Sequence, residues 1–367
     1  VANTLNYLDI KTVVVSCGTC YETCGEVFEE NPDDSWSQIK AKYRVGGAPG
    51  TGEVPKELED ERGRAVDAMV VDVQCEMQSL VQVAKCYHTK LITTSAKGRM
   101  EGATHIEFDE HKALTIAKQI LRVAIDNYKN RGKIHIPQVR EDLIPGFSHE
   151  YINYMLGGSY RASFRPLNDA IMTGRIRGVV ADVGCNNPRT TQDATHNYLV
   201  REFLKNDVLV VETGCGAIAS AKLGLLLGEA GLTKVGPGLR EICETVGIPP
   251  VLHMGSCVDN TRILTVLTQM AEEGGLGDDI DQIPAVGLAP EWMSEKAIAI
   301  GTWAVAAGLP THVGVIPPVL GSSLVSRVLT QDIKGLFGGY FIVDTDPVTS
   351  AQKLIEAIRE RRTGLGL

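Results

Sequence analysis

The stretch Gly178 to Cys185 reads GVVADVGC, and its successor Asp207 to Cys215 reads DVLVVETGC. Each is a short run of β-branched and aliphatic residues that stops at a Gly-Cys pair. Without regular polar alternation, such runs predict strands buried on both faces, the signature of a parallel sheet. An apolar run ending in cysteine occurs three more times. Ile10 to Cys17 reads IKTVVVSC, Val66 to Cys75 reads VDAMVVDVQC, and Pro249 to Cys257 reads PPVLHMGSC.

Helical segments separate these runs. Asp109 precedes a segment to about Asn130 in which Leu114, Ala117, Leu121 and Ala124 recur at helical spacing. Asp346 followed by Pro347 opens a last helix carrying Leu354, Ile355 and Ile358, a cap and a first-turn proline in the expected order. Strands alternating with helices predict an α/β protein of two doubly wound, mostly parallel Rossmann-like sheets with helices on both faces. Ligands of such sheets bind beyond the carboxyl ends of the strands, where all five cysteines fall. The Gly- and Pro-rich stretch Gly46 to Arg64 reads as a linker. The expected organisation is an N-terminal cysteine-containing segment and linker over 1–62, a first domain over 63–180 and a second over 181–367.

Composition narrows the function. The 367 residues carry 36 Lys+Arg against 45 Asp+Glu, a formal charge of −9, which argues against nucleic acid or an anionic membrane surface as partner. Ala297 to Val325 is uncharged and long enough to span a bilayer, but Pro310, Pro317 and Pro318 interrupt it, so it reads as several core elements. No membrane span and no secretory signal are expected. The chain opens on Val1 rather than Met, as a polypeptide starting inside a longer one would. Nine cysteines, an odd number, point away from a secreted disulfide framework and toward the cytoplasm and a metal site.

Cys75, Cys185, Cys215 and Cys257 are the first candidates. Soft thiolates suit iron-sulfur, zinc or nickel, whereas an isolated buried Cys is an ordinary small hydrophobe. The strand-end placement and the glycines before three of them, which let backbone approach a bulky group, favour the ligand reading. Cys17, Cys20 and Cys24 in SCGTCYETCG form a tight CxxCxxxC loop, open to an additional 4Fe-4S cluster, a zinc knuckle short of one ligand, or a CxxC redox couple. Cys86 and Cys243 lack this context and are expected in the core. Gly47 to Val54, GAPGTGEV, mimics a phosphate loop but has Glu53 where Lys is needed. Lys296 in PEWMSEKAIAIGTW is expected on a helix between Trp292 and Ile300, where desolvation would lower its pKa, or else as a snorkelling surface lysine. His253 and His312 read as donors near the site or as satisfied polar groups.

These motifs carry a resemblance. DVQCEMQSL, VGCNNP, ETGCGAIASAKLGLL, GIPPVLHMGSCVDN and PEWMSEKAIAIGTWAV, from about Gly63 onward, are similar to the nickel-iron-sulfur carbon monoxide dehydrogenases. The related hybrid-cluster (prismane) proteins share the cysteine order but fit GCNNP and HMGSCVDN poorly. The resemblance implies that Cys75, Cys185 and Cys215 hold irons of a Ni-Fe-S cluster, that Cys257 binds nickel, that Lys296 hydrogen-bonds the reacting species and helps move protons, and that Ile300 shapes the gas pocket. It further implies CO and water as substrates, CO2 as product, a ferredoxin-like electron carrier, and a homodimer or partner subunit. The family's upstream His and Cys for an outlying iron have no counterpart in Gly25 to Gln74, which contains neither residue type. A reductase of hydroxylamine or a similar small substrate and a non-catalytic iron-sulfur subunit are therefore the alternatives.

Overall fold

A computed structural model describes residues 14–15, 66–72, 77–132, 146–157, 163–227 and 231–367. The chain divides into two compact units, Val1–Arg140 and Glu141–Leu367. Residue 180, the expected boundary, lies inside strand Gly178–Asp182 of the second unit's sheet. A break there would cut a strand hydrogen-bonded on both sides.

In the first unit, strands β1 (Val14–Val15), β2 (Ala68–Val71), β3 (Lys90–Thr93) and β4 (Thr104–His105) lie parallel in that order. Helix α1 (Ser79–Cys86) and helix α2 (Ala113–Tyr128) follow β2 and β4. Side-chain alternation sorts the core onto two faces: Ala68 and Ile92 pack with Ile106, Ile116 and Ala124, while Met69, Val71 and Leu91 pack with Val81 and Met100. Helices therefore cover both faces, as a doubly wound sheet requires.

The buried stripe of α2 differs from expectation. Leu114 and Ala117 are exposed, and Ile116, Ala124 and Asn127 point inward. Asp109 accepts from the His111 N–H and caps a separate turn, Glu110–Lys112, so the α-helical phase starts later than the cap suggests. Cys86 is likewise exposed at the end of α1.

The second unit continues with α3 (His149–Gly157), α4 (Arg165–Met172), β5 (Gly178–Asp182), α5 (Ala194–Lys205), β6 (Val208–Thr213), α6 (Gly214–Lys222), α7 (Pro237–Val246), β7 (Val251–Gly255), α8 (Thr261–Glu273), β8 (Ala285–Ala289), α9 (Glu295–Ala306), β9 (Thr311–Val313), α10 (Ser323–Arg327), α11 (Lys334–Phe337), β10 (Phe341–Val343) and α12 (Pro347–Gly364). Its sheet is all parallel, in the order β10-β9-β8-β5-β6-β7. The chain winds outward from β5 to β7, then returns to β8 on the other side of β5. That reversal is a topological switch point, and it opens a crevice at the carboxyl ends of β5 and β8.

Strands β5, β6 and β8 are buried along their whole length, which explains their continuous apolar runs. Cys243 on α7 is fully buried, and burial pushes its thiol up to about 12. On α12, Asp346 accepts from the Thr349 N–H and Pro347 takes the first position, while Leu354 and Ile358 enter the core. The uncharged run 297–325 resolves into α9, β9 and shorter turns, and no helix among the described residues is long and apolar enough to cross a membrane.

The observed α2 stripe makes a direct prediction. Ile116→Ala should cost about 2–5 kcal/mol in urea unfolding, whereas Leu114→Ala should change stability by less than about 0.5 kcal/mol.

Candidate metal centre

Three of the predicted cysteines come to one edge of the second sheet. Cys185 follows β5, Cys215 is the second residue of α6 directly after β6, and Cys257 opens a 3-10 turn, Cys257–Asp259, after β7. The three strands are neighbours. Cys185 and Cys215 are buried and Cys257 is half-buried. Cys75 and the loop cysteines Cys17, Cys20 and Cys24 lie outside the described residues.

Glycine makes this convergence possible. Gly184, Gly214 and Gly255 have φ of +107°, +60° and +134°, a region that side chains disfavour. A β-carbon on Gly214 would sit 3.2 Å from Cys257 Cβ and 3.5 Å from the Gly184 carbonyl oxygen. One on Gly184 would sit 3.2 Å from Ala289 Cβ at the end of β8. The three turns thus touch backbone to backbone. A register shift between β6 and β7 at Glu212/Thr213 advances the last turn, whose Ser256–Asp259 capping box fixes the start of Cys257–Asp259. At the start of α6, Cys215 lies where the helix dipole favours a thiolate.

Beneath the turns runs a buried polar network. Asp182, the last residue of β5, and Glu212, next to last in β6, are cross-strand partners, and both are fully buried. His196 on α5 places Nδ1 2.8 Å from one Asp182 carboxylate oxygen and Nε2 3.0 Å from the Cys185 carbonyl. Burial alone lowers the His196 pKa, but the charge and hydrogen bond of Asp182, aided by Glu291, override it and push the value up to about 10. Burial, with the Asp182 charge adding, holds Glu212 well above the usual carboxylate range; one of its oxygens accepts from Ser220 Oγ at 2.7 Å.

Glu291, just after β8, reaches across the switch point. Its oxygens accept from the Asp193 and Thr195 N–H groups at 3.1 and 2.9 Å, and from Asn186 Nδ2 at 3.2 Å. Asn186 also donates to Asp193, whose other oxygen takes Lys222 Nζ at 2.6 Å. Asn187 donates to the Trp292 carbonyl at 2.8 Å. Sequence reasoning missed Asp182, His196, Glu212 and Glu291. The available signal was acidic residues closing apolar strand runs, where no solvent-facing position was expected.

Lys296 and Ile300 are half-buried on α9, at the carboxyl end of β8. Trp292 precedes the helix, which starts at Glu295, so it does not share a helical face with Lys296; its indole donates to the Val315 carbonyl at 2.7 Å. His253 bonds to the Gly255 carbonyl at 3.0 Å, within its own turn. His312 is fully buried, with Nε2 donating to the Asp344 carbonyl at 3.0 Å and lying 3.0 Å from Ser350 Oγ.

Among the described residues no three His, Cys, Asp or Glu side chains converge as the ligands of a single ion. A polynuclear cluster asks for something different, one thiolate for each of several metal atoms, so its donors stand on separate loops around a common space. Glycine-cleared, cysteine-bearing turns on neighbouring strands fit that requirement.

A parallel, doubly wound protein with strand-end thiolate turns is thus the class that fold and site define. Residues 36–348 match the Prismane/CO dehydrogenase family, and the chain belongs to it. It is 47% identical over 314 residues to carbon monoxide dehydrogenase 1 of Carboxydothermus hydrogenoformans and 46% identical to the carbon monoxide dehydrogenase of Rhodospirillum rubrum, in each case over 83% of this chain and 49% of the relative. Among solved structures, a nickel-free carbon monoxide dehydrogenase from Thermococcus sp. AM4 superposes with a TM-score of 0.76 at 50% identity, covering 83% of this chain and 47% of that one. An acetyl-CoA synthase/carbon monoxide dehydrogenase structure, described by NiZn[Fe4S4] and NiNi[Fe4S4] clusters in its alpha subunits, gives 0.77 at 43% identity over 83% and 47%. The chain spans about half the length of the curated relatives it matches.

Acid stability should report on His312. Burial lowers its pKa from 6.5 to about 4, so between those values the unfolded chain binds more protons and stability falls as pH drops. The loss should be on the order of 3 kcal/mol, and His312→Gln should flatten that part of a urea-midpoint-against-pH curve.

Proposed function

We propose that this chain carries the catalytic metal centre of an anaerobic, nickel-dependent carbon monoxide dehydrogenase, an oxidoreductase converting CO and water reversibly to CO2, two protons and two electrons. The observation that carries the reading is the row of Gly-Cys and Gly-Ser-Cys turns after β5, β6 and β7, at backbone contact around Gly214. Cys185 and Cys215 would bind irons and Cys257 nickel, and Cys75 joins the set on its DVQC motif alone. When bound, a Ni-Fe-S cluster supplies the site for CO and stores the electrons released.

The chain's own residues supply position and protons. The turns orient three thiols from rigid strand ends, which defines a metal site more tightly than free loops do. Lys296, in the first turn of α9 on the other half of the sheet, would hydrogen-bond the reacting carboxyl group and relay protons through its ammonium. Ile300, one turn further along α9, would bound the gas pocket. Cys17, Cys20 and Cys24 are the candidates for an additional 4Fe-4S cluster that passes electrons to a ferredoxin-like carrier. Homodimerisation or a partner subunit, and a cytoplasmic location, complete the reading.

Anaerobically purified protein should contain nickel, iron and acid-labile sulfide and should reduce a dye in the presence of CO. Iron without nickel, together with hydroxylamine reduction, would point instead to a hybrid-cluster reductase; a cluster without turnover would point to a binding subunit. Cys257→Ala should abolish nickel retention while leaving much of the iron, measured by elemental analysis. Equal loss of both metals would refute the assigned division of ligands.

A further inference from the structure

The His196–Asp182 pair has no role in the steps above, yet it bonds directly to a cysteine turn. Asp182 is the last residue of β5, three positions before Cys185, and its carboxylate lies 2.8 and 2.9 Å from His196 Nδ1. This contact fixes the ring so that Nε2 donates to the Cys185 carbonyl at 3.0 Å. All three partners are buried, with His196 and Asp182 fully so. Asp182 also stands against the helix that carries Cys215, since a β-carbon on Gly216 would come within 3.2 Å of both its carbonyl and its carboxylate oxygen.

The turn has a specific need for such an anchor. Gly184, at φ +107°, gives the backbone before Cys185 freedom that other residues would deny it. Asn186 and Asn187 pin the following residues through Asp193, Glu291 and the Trp292 carbonyl. Ala289 walls off Gly184 on the β8 side. Of these contacts, His196 makes the one to the cysteine's own peptide group. A histidine oriented by a carboxylate and buttressing a ligand from outside is a recurrent means of holding metal-binding groups in place.

We propose that His196, anchored by Asp182, is a positioning residue for the metal centre: it locks the Cys185 carbonyl and thereby the direction in which the Cys185 thiolate leaves the turn. The inference rests on the metal reading given above and extends it to residues that touch neither metal nor substrate.

The test compares the wild-type chain with His196→Ala, His196→Gln, Asp182→Asn and, as a buried-histidine control whose ring nitrogens bond to no cysteine turn, His312→Gln. The readouts are the electron paramagnetic resonance spectrum of the reduced cluster and the rate of iron release to a chelator. His196→Ala should release iron about 10–100-fold faster and change the spectrum; Asp182→Asn should do so more weakly. His196→Gln, which keeps one N–H donor, should recover part of the loss, and His312→Gln should leave the spectrum as in wild type. A wild-type spectrum and release rate in both His196 variants would overturn the proposal, even if both unfold at lower temperature. Should His196→Ala not fold, the Gln and Asn variants decide by the same readouts. Should wild type bind no cluster at all, the metal reading fails separately, and amide exchange over 183–187 in the metal-free chain decides the positioning role. Faster exchange there in His196→Gln, with β10 unchanged, supports it, and equal exchange refutes it.

Discussion

Three adjacent parallel strands, each with a positive-φ glycine at or within two residues of its carboxyl end, are the constraint on which the site depends. Parallel strands present all their carboxyl ends at one edge, so cysteines at 185, 215 and 257 become neighbours although 30 and 42 residues separate them in sequence. An antiparallel arrangement would send alternate strand ends to opposite edges. The parallel arrangement in turn requires both faces to be covered, which is why α5 and α12 carry apolar stripes into the core and why β5 and β6 have no polar alternation. Gly214 is the joint between the turns, because a side chain there would meet both the Cys257 turn and the Gly184 carbonyl.

The carboxylates below that edge demand an explanation, because an ionised carboxylate buried without a partner is unfavourable by several kcal/mol. Each is handled differently. Asp182 is paired with His196 and keeps its charge compensated. Glu291 is bonded by two backbone N–H groups and an amide, although burial still raises its pKa. Glu212 keeps one oxygen without a hydrogen-bond partner among the described residues, and burial together with the Asp182 charge raises its pKa. A chain selected only for stability would place apolar residues there. The network instead fixes the polypeptide around the cysteine turns, at a cost that the apolar strands on either side offset.

Much of this was legible in the residues. Five apolar runs ending in cysteine point to parallel strands, and all five contain a strand in the structure. The cap at Asp346 and the core role of Cys243 follow from local chemistry, and both stand. Local signals mislead where two turns abut. Asp109 does cap, but the 3-10 turn after it shifts the phase of α2, so Leu114 faces out and Ile116 faces in. Trp292 has helical spacing to Lys296 yet lies before Ser294, the extended residue that precedes the helix. The polar network was not legible, because Glu291 meets Asn186 and Asp193 about a hundred positions away, through a strand order that periodicity does not reveal.

That strand order also explains why the two candidate halves of the chemistry come from different parts of the chain. The thiols follow β5, β6 and β7 on one side of the switch point, and Lys296 and Ile300 follow β8 on the other. A group in the crevice would therefore meet soft donors from one half and a cation with an apolar neighbour from the other. The two halves are tied by the Asn186–Glu291 and Asn187–Trp292 bonds, which link the Cys185 loop to the segment that launches α9. These bonds are buried, so water does not compete with them for the same partners. The Cys185 loop and the start of α9 are thus held together by side-chain amides and a carboxylate across the switch point, and not by the sheet alone.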